Sequence, residues 1–145
     1  MAGIKITLRD PDDKTKLIYA EFATARSFPQ LKEILGDIAR ADTAETVNAR
    51  RLEIAELKLL EATSEEELDQ AEEAMTAAKD RLHASGMALF ELARKFVFEG
   101  YRLAGASEEL ADKLADLTSI DKLEELKIAC LFGAGAVDFT KAAGR

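Results

Sequence analysis

The stretch "LFGAGAVDFTK", Leu131 to Lys141, sets two glycines one residue apart before a Thr-Lys doublet, the ingredients of a loop that cradles phosphate. A dinucleotide fingerprint needs a third glycine three positions after Gly135, where Asp138 stands, and it must follow a strand, whereas the preceding pattern is helical. A P-loop needs Gly-Lys-Ser/Thr, yet here Thr140 precedes Lys141 and no glycine adjoins the lysine. The glycines therefore read as a helix stop and a tight turn before a short segment bearing Val137 and Phe139.

His83 is the only histidine, so any Ser–His or Cys–His nucleophile pair must use it. It sits beside Leu82 on a helical pattern and reads as solvated, while the only cysteine, Cys130, lies far along the chain in the apolar run "IACLF" and reads as a buried thiol. Carboxylates cluster at Glu65-Glu66-Glu67, Glu72-Glu73, Glu108-Glu109 and Glu124-Glu125. Most fall in first helical turns, where acids complement the helix dipole. No Asp-x-Asp-x-Asp-Gly loop and no Glu-x-x-His pair occurs, and Asp80 with His83 is too little for a metal. These residues predict a non-enzymatic protein with no catalytic, cofactor-binding or metal-binding residues.

The elements that must position everything else are helical. Of 145 residues 48% are hydrophobic, enough for a packed core, and only 6% are aromatic. A net charge of −8 disfavours nucleic acid and anionic membrane as partners. The densest basic stretches, Arg50-Arg51 and Arg94-Lys95, are diluted by nearby acids. No signal segment and no apolar run of membrane-spanning length appears, so the cytoplasm is the expected location.

The chain opens with "IKITL", Ile4 to Leu8, alternating as a half-buried strand, then turn chemistry from Arg9 to Lys14, then a second strand from Thr15 to Phe22. An isolated hairpin is marginal, so it must pack on helices or pair with an edge of another chain. Ser27 with Gln30 and Pro29 starts a helix expected to run to about Ala41, and Asp42 with Glu45 predicts a new start reaching about Ala62. Thr63 and Ser64 cap the next helix, in which Leu68, Ala71, Met75, Ala78, Leu82, Ser85, Leu89, Leu92 and Phe96 recur at alternating spacings of three and four. Leu52, Ala55, Leu59 and Ala62 repeat the pattern on the preceding segment, so the two predict an antiparallel helical hairpin with a narrow Leu/Ala seam. Gly86 either breaks the second helix or lies within it at a cost of ~1 kcal/mol. Gly105 then ends that helix, Ser107 caps a helix from Glu108 to about Leu117, and Thr118 or Ser119 caps a last one running to Phe132 and Gly133. The expected fold is mainly α: a single domain 1–145, with a β-hairpin over 1–26, a helix and long helical hairpin over 27–84, and shorter helices with a Gly/Ala-rich tail over 85–145.

The stretch "MALFELARKFVFEGYRL" carries two apolar stripes: Leu89, Leu92, Phe96 and Leu103 on one, Phe90, Val97 and Tyr101 on the other. Two stripes exceed what a surface helix needs. Either this helix is central to the core or its second stripe is an interface. The candidate partner or self-association face is accordingly Phe90, Val97 and Tyr101, with Phe132, Val137 and Phe139 from the tail.

The order of these parts resembles the tail assembly chaperones of long-tailed bacteriophages. The resemblance rests on "KLIYAEF", Lys16 to Phe22, leading through Ala25-Arg26 into the first helix, and on "KFVFEGYRL", Lys95 to Leu103, before an acidic C-terminal portion. It implies a protein of the host cytoplasm that binds the long tape-measure protein, recruits tail-tube subunits around it, associates with itself and leaves before the tail is complete. The Gly/Ala tail from Phe132 would then be a hinge or docking segment. The alternative is an oligomeric helical structural or adaptor protein that stays in its complex.

Overall fold

The computed structural model describes residues 3–133 and 135–140. The elements are β1 (Ile4–Arg9), β2 (Leu17–Phe22), α1 (Pro29–Glu61), α2 (Glu65–Leu103), α3 (Glu108–Leu117), a 3-10 turn Ile120–Lys122, α4 (Leu123–Phe132) and β3 (Ala136–Asp138). The chain is mainly α, with an N-terminal β-hairpin followed by a long antiparallel helical hairpin, as its periodicity predicts. Its residues form two compact units. One comprises the chain up to Gly36 and from Ala93 onward, the other Asp37–Leu92.

In the first unit the sheet order is β2-β1-β3. β1 is antiparallel to β2, with Ile4 opposite Phe22 and Arg9 opposite Leu17, and parallel to β3, with Ile6 opposite Val137. Alternation gives the sheet two faces. Ile4, Ile6, Leu8, Phe22 and Val137 are buried, while Lys5, Arg9, Leu17, Tyr19 and Glu21 are exposed on the other face. The third strand is a departure from the expected hairpin. The tail from Phe132, read as a hinge or docking segment, contributes β3, because Val137, buried between exposed Ala136 and half-buried Asp138, completes the buried face beside Ile6. Ala134 and residues 141–145, including Lys141, lie outside the described residues.

The core of this unit is built around one close approach. Phe22 leaves the sheet against the backbone of Gly100 in α2, so closely that a Cβ at position 100 would lie 1.9–2.3 Å from its ring atoms. Phe96 and Tyr101 flank the same ring at centroid distances of 5.3 and 5.2 Å, tilted and edge-on respectively, the arrangements aromatic quadrupoles favour. The chain beyond Phe22 is then tied to two helices: the Ala23 N–H donates to the Gly100 carbonyl at 2.9 Å and the Ala25 N–H to the Cys130 carbonyl at 3.0 Å.

In the second unit the predicted seam is observed from Ala71 onward, while Leu68, its expected first member, is exposed at 40%. Ala55, Ala71 and Ala78 are buried and Leu52, Leu59, Met75, Leu82, Ser85 and Leu89 are partly covered. The Asn48 side-chain amide donates to Ser85 Oγ, which fixes the antiparallel register. Gly86 lies within a continuous α2.

The expected restart at Asp42 does not occur; α1 continues through it. Asp42 sits in a run without Gly or Pro, and hydroxyls that favour caps instead fold back along the helix: Thr43 Oγ1 donates to the Ala39 carbonyl and Thr46 Oγ1 to that of Asp42, both at 3.1 Å. Neither Thr118 nor Ser119 caps the last helix: Ser119 Oγ accepts from Asp121 N–H at 3.3 Å and starts the 3-10 turn, Thr118 folds back on α3, and α4 begins at Leu123 without a side-chain cap. Three other boundaries follow their caps. Ser64 Oγ accepts from Glu67 N–H at 3.1 Å and Ser107 Oγ from Leu110 N–H at 3.2 Å, while Gly133 closes α4 at φ 69° with its N–H on the Ala129 carbonyl.

Candidate functional site

The predicted partner face divides by burial. Val97, Tyr101 and Val137 are interior, with Tyr101 fully enclosed. In the folded chain these three build the core, which corrects their reading as partner-binding residues: the second stripe of α2 is covered where α2 meets the sheet and the C-terminal helices. Phe139 is half-buried, following β3 and donating its N–H to the Thr7 carbonyl at 2.9 Å. Phe90 and Phe132 remain exposed, at 51% and 77%.

The polar groups around Tyr101 serve the core. Its hydroxyl donates to Thr118 Oγ1 at 2.7 Å, and the Thr118 hydroxyl donates onward to the Leu114 carbonyl at 2.8 Å, so each buried hydrogen has an acceptor. Burial pushes the Tyr101 phenol up to about 12, with the Thr118 contact working in the opposite direction. Cys130 is likewise inert: burial pushes its thiol up to about 11, and its Sγ–H points to the Ala23 carbonyl. Lys122 is buried, and its ammonium donates to the Asp138 carbonyl at 2.7 Å, pinning the end of β3. A half-open recess of about 300 Å³ between Glu21, Thr24, Ser27 and Leu103 has two hydroxyls on its wall, with Thr24 Oγ1 donating to Ser27 Oγ at 3.2 Å. His83 is exposed on α2. Among the described residues no group of three His, Cys, Asp or Glu is placed to hold a metal ion. Nor is any helix there long and apolar enough to cross a membrane.

What the first unit does present is α4. Its inner face, Leu123, Leu126, Ala129 and Cys130, fills the core. Its outer face carries Ile128, Leu131 and Phe132, exposed at 50%, 48% and 77% and spaced as one apolar patch, with exposed Glu124 and Glu125 one turn before it. Of these residues sequence reasoning singled out only Phe132. The signal for the rest was present in "LKIACLF", whose only polar residue is Lys127, so that its apolar surface is wider than the one face a core needs.

No family model, no curated protein and no solved structure matches this chain.

Proposed function

We propose that this is a non-enzymatic binding protein that covers an apolar helix of a partner during assembly, in the manner of the phage tail assembly chaperones its sequence resembles. The partner helix would belong to a tape-measure protein, with tail-tube subunits recruited to the same complex. The observation that carries this reading is the outer face of α4. Ile128, Leu131 and Phe132 offer the three-and-four spacing into which an amphipathic helix packs. Glu125 at the start of the same helix, beside Glu124 that is already paired to Lys127 at 2.8 Å, favours a partner with a basic residue at one end of its apolar stripe. The acidic exterior would keep such a complex dispersed.

The test is co-expression with the proteins of the producing system, followed by affinity capture and identification of what is bound. The reading expects a long helical protein together with a tube-type subunit. It also expects a variant carrying Ile128→Glu and Phe132→Glu to lose both while melting like the parent, because exposed substitutions change stability by only about 0.5 kcal/mol. Unchanged capture by that variant would refute the α4 site. Retention of the chain in finished particles would replace the chaperone role with that of a structural component.

A further inference from the structure

The open edge of the sheet has a definable chemistry. Thr7 turns its carbonyl toward β3, where it accepts from Phe139 N–H. In an antiparallel ladder, a residue whose backbone groups face one neighbour makes a non-hydrogen-bonded pair with the other. Thr7 is opposite Tyr19, so the Tyr19 N–H and C=O point away from β1, and by alternation so do those of Leu17 and Glu21. The other end of the hairpin agrees: Asp10 N–H donates to the Lys16 carbonyl at 3.2 Å, which assigns the pairs facing β1 to the even positions of β2.

Exposed edges in natural sheets are guarded by proline, by a bulge, by inward charge or by being very short. The β3 edge is three residues long. A charged side chain on the edge is a further guard, and β2 carries one, Glu21 near its end; otherwise it is unguarded, with six residues in unbroken register, no Pro or Gly, and Leu17 and Tyr19 exposed at 42% and 74%.

We infer that the β2 edge pairs antiparallel with the β2 edge of a second copy, about a twofold axis at Tyr19, joining two three-stranded sheets into one. Three observations select a second copy as the occupant. A twofold axis normal to the sheet keeps its faces in common, so odd positions must meet odd positions, and these are the ones with outward backbone groups. The register that sets Tyr19 against Tyr19 also sets Leu17 against Glu21 and satisfies every outward N–H and C=O. Lastly, β2 is entered from Lys14 and Lys16 and left through Glu21, so an antiparallel copy brings opposite charges to each end, where a parallel copy would stack like on like. The exposed tyrosines then form a cross-strand aromatic pair on the axis. This association is independent of the α4 reading, since either can fail alone.

The decisive substitution is Tyr19→Pro. It removes an N–H that β1 does not use, at an edge position where proline is tolerated. Sedimentation of the full chain from about 1 to 100 μM should show a dimer. The variant should dissociate roughly 30-fold more readily, two hydrogen bonds being lost across the axis. Its circular dichroism should be unchanged. Register is read by oxidation. Tyr19→Cys should link to itself, its partner Cα being ~5.5 Å away, whereas Leu17→Cys should link only when mixed with Glu21→Cys. The native Cys130 is buried and stays out of the reaction. A parent that remains monomeric throughout, a Tyr19→Pro variant that dimerises like the parent, or linkage of Leu17→Cys to itself would overturn the inference. If Tyr19→Pro does not fold, the cysteine variants decide.

Discussion

Helix α2 contributes to both units, and its two interior glycines show how differently they are held. At Gly100, in the first unit, an added methyl would overlap the ring of Phe22, itself boxed by Phe96 and Tyr101. At Gly86, in the second, an added methyl would meet only the Glu45 carboxylate at 3.3 Å, the mobile end of a flexible side chain. One region is a jigsaw in which shape is specified atom by atom. The other is a seam of alanines and leucines in which the pattern suffices and single shapes are replaceable.

The same substitution at the two glycines should therefore have opposite signs. Gly100→Ala is expected to be the largest loss, about 3 kcal/mol, because overpacking has nowhere to relax. Urea denaturation measures it, and a variant within 0.5 kcal/mol of the parent would mean the Phe22 ring has room to shift. Ala78→Glu attacks the seam instead. Ala78 is 5% exposed, so a carboxylate there loses its hydration without a partner, at about 2 kcal/mol. Hydrogen exchange should localise the damage to Asp37–Leu92, leaving the amides of β1 and β2 protected. Loss of protection throughout would show that the two units fold as one.

Alkali should loosen the first unit selectively. Tyr101 and Cys130 bind their protons more tightly when folded, at about 12 and about 11 against ordinary values of 10.0 and 9.0. The unfolded chain releases these protons first, so their contribution is complete below about pH 9 and is lost progressively as pH rises to 11 and 12. Stability should fall by about 2 kcal/mol for each group over its interval. Cys130→Ala should flatten the lower part of the curve and Tyr101→Phe the upper part. A parent and variants with parallel pH profiles would exclude these two groups as the cause. The smallest effect is also the only gain: Gly86→Ala should stabilise by about 1 kcal/mol, since it removes backbone freedom in mid-helix without a clash. A loss there would show that the helical hairpin is as tightly specified as the sheet.

Much of this architecture was legible in the sequence. The alternation of Ile4, Ile6 and Leu8, the three-and-four spacing from Ala71 to Phe96, and the caps at Ser64, Ser107 and Gly133 each rest on local geometry and appear where expected. The misplaced boundary at Asp42 shows the limit of that reasoning. A capping residue is only an offer, which a neighbouring helix turn can decline at a cost of tenths of a kcal/mol.

The candidate site was less legible. Phe90, Val97 and Tyr101 share one stripe of α2, and periodicity treats them alike, yet Tyr101 is enclosed and Phe90 is half exposed. Periodicity marks Ile128 and Leu131 only as members of an apolar helix. Which side of that helix is surplus depends on where the sheet lies.

By itself the sequence determined the helix and strand periods, most ends set by Gly and Ser, and the acidic character of the chain, −8 in net charge with one histidine. These follow from forces acting within a few residues. Only the tertiary structure decided that Val137 would join β1 as a third strand, that Gly100 exists to admit Phe22, and that α4 keeps an apolar face outside. Those outcomes depend on contacts between residues far apart in the chain, and the same local pattern is compatible with either side of a helix being covered.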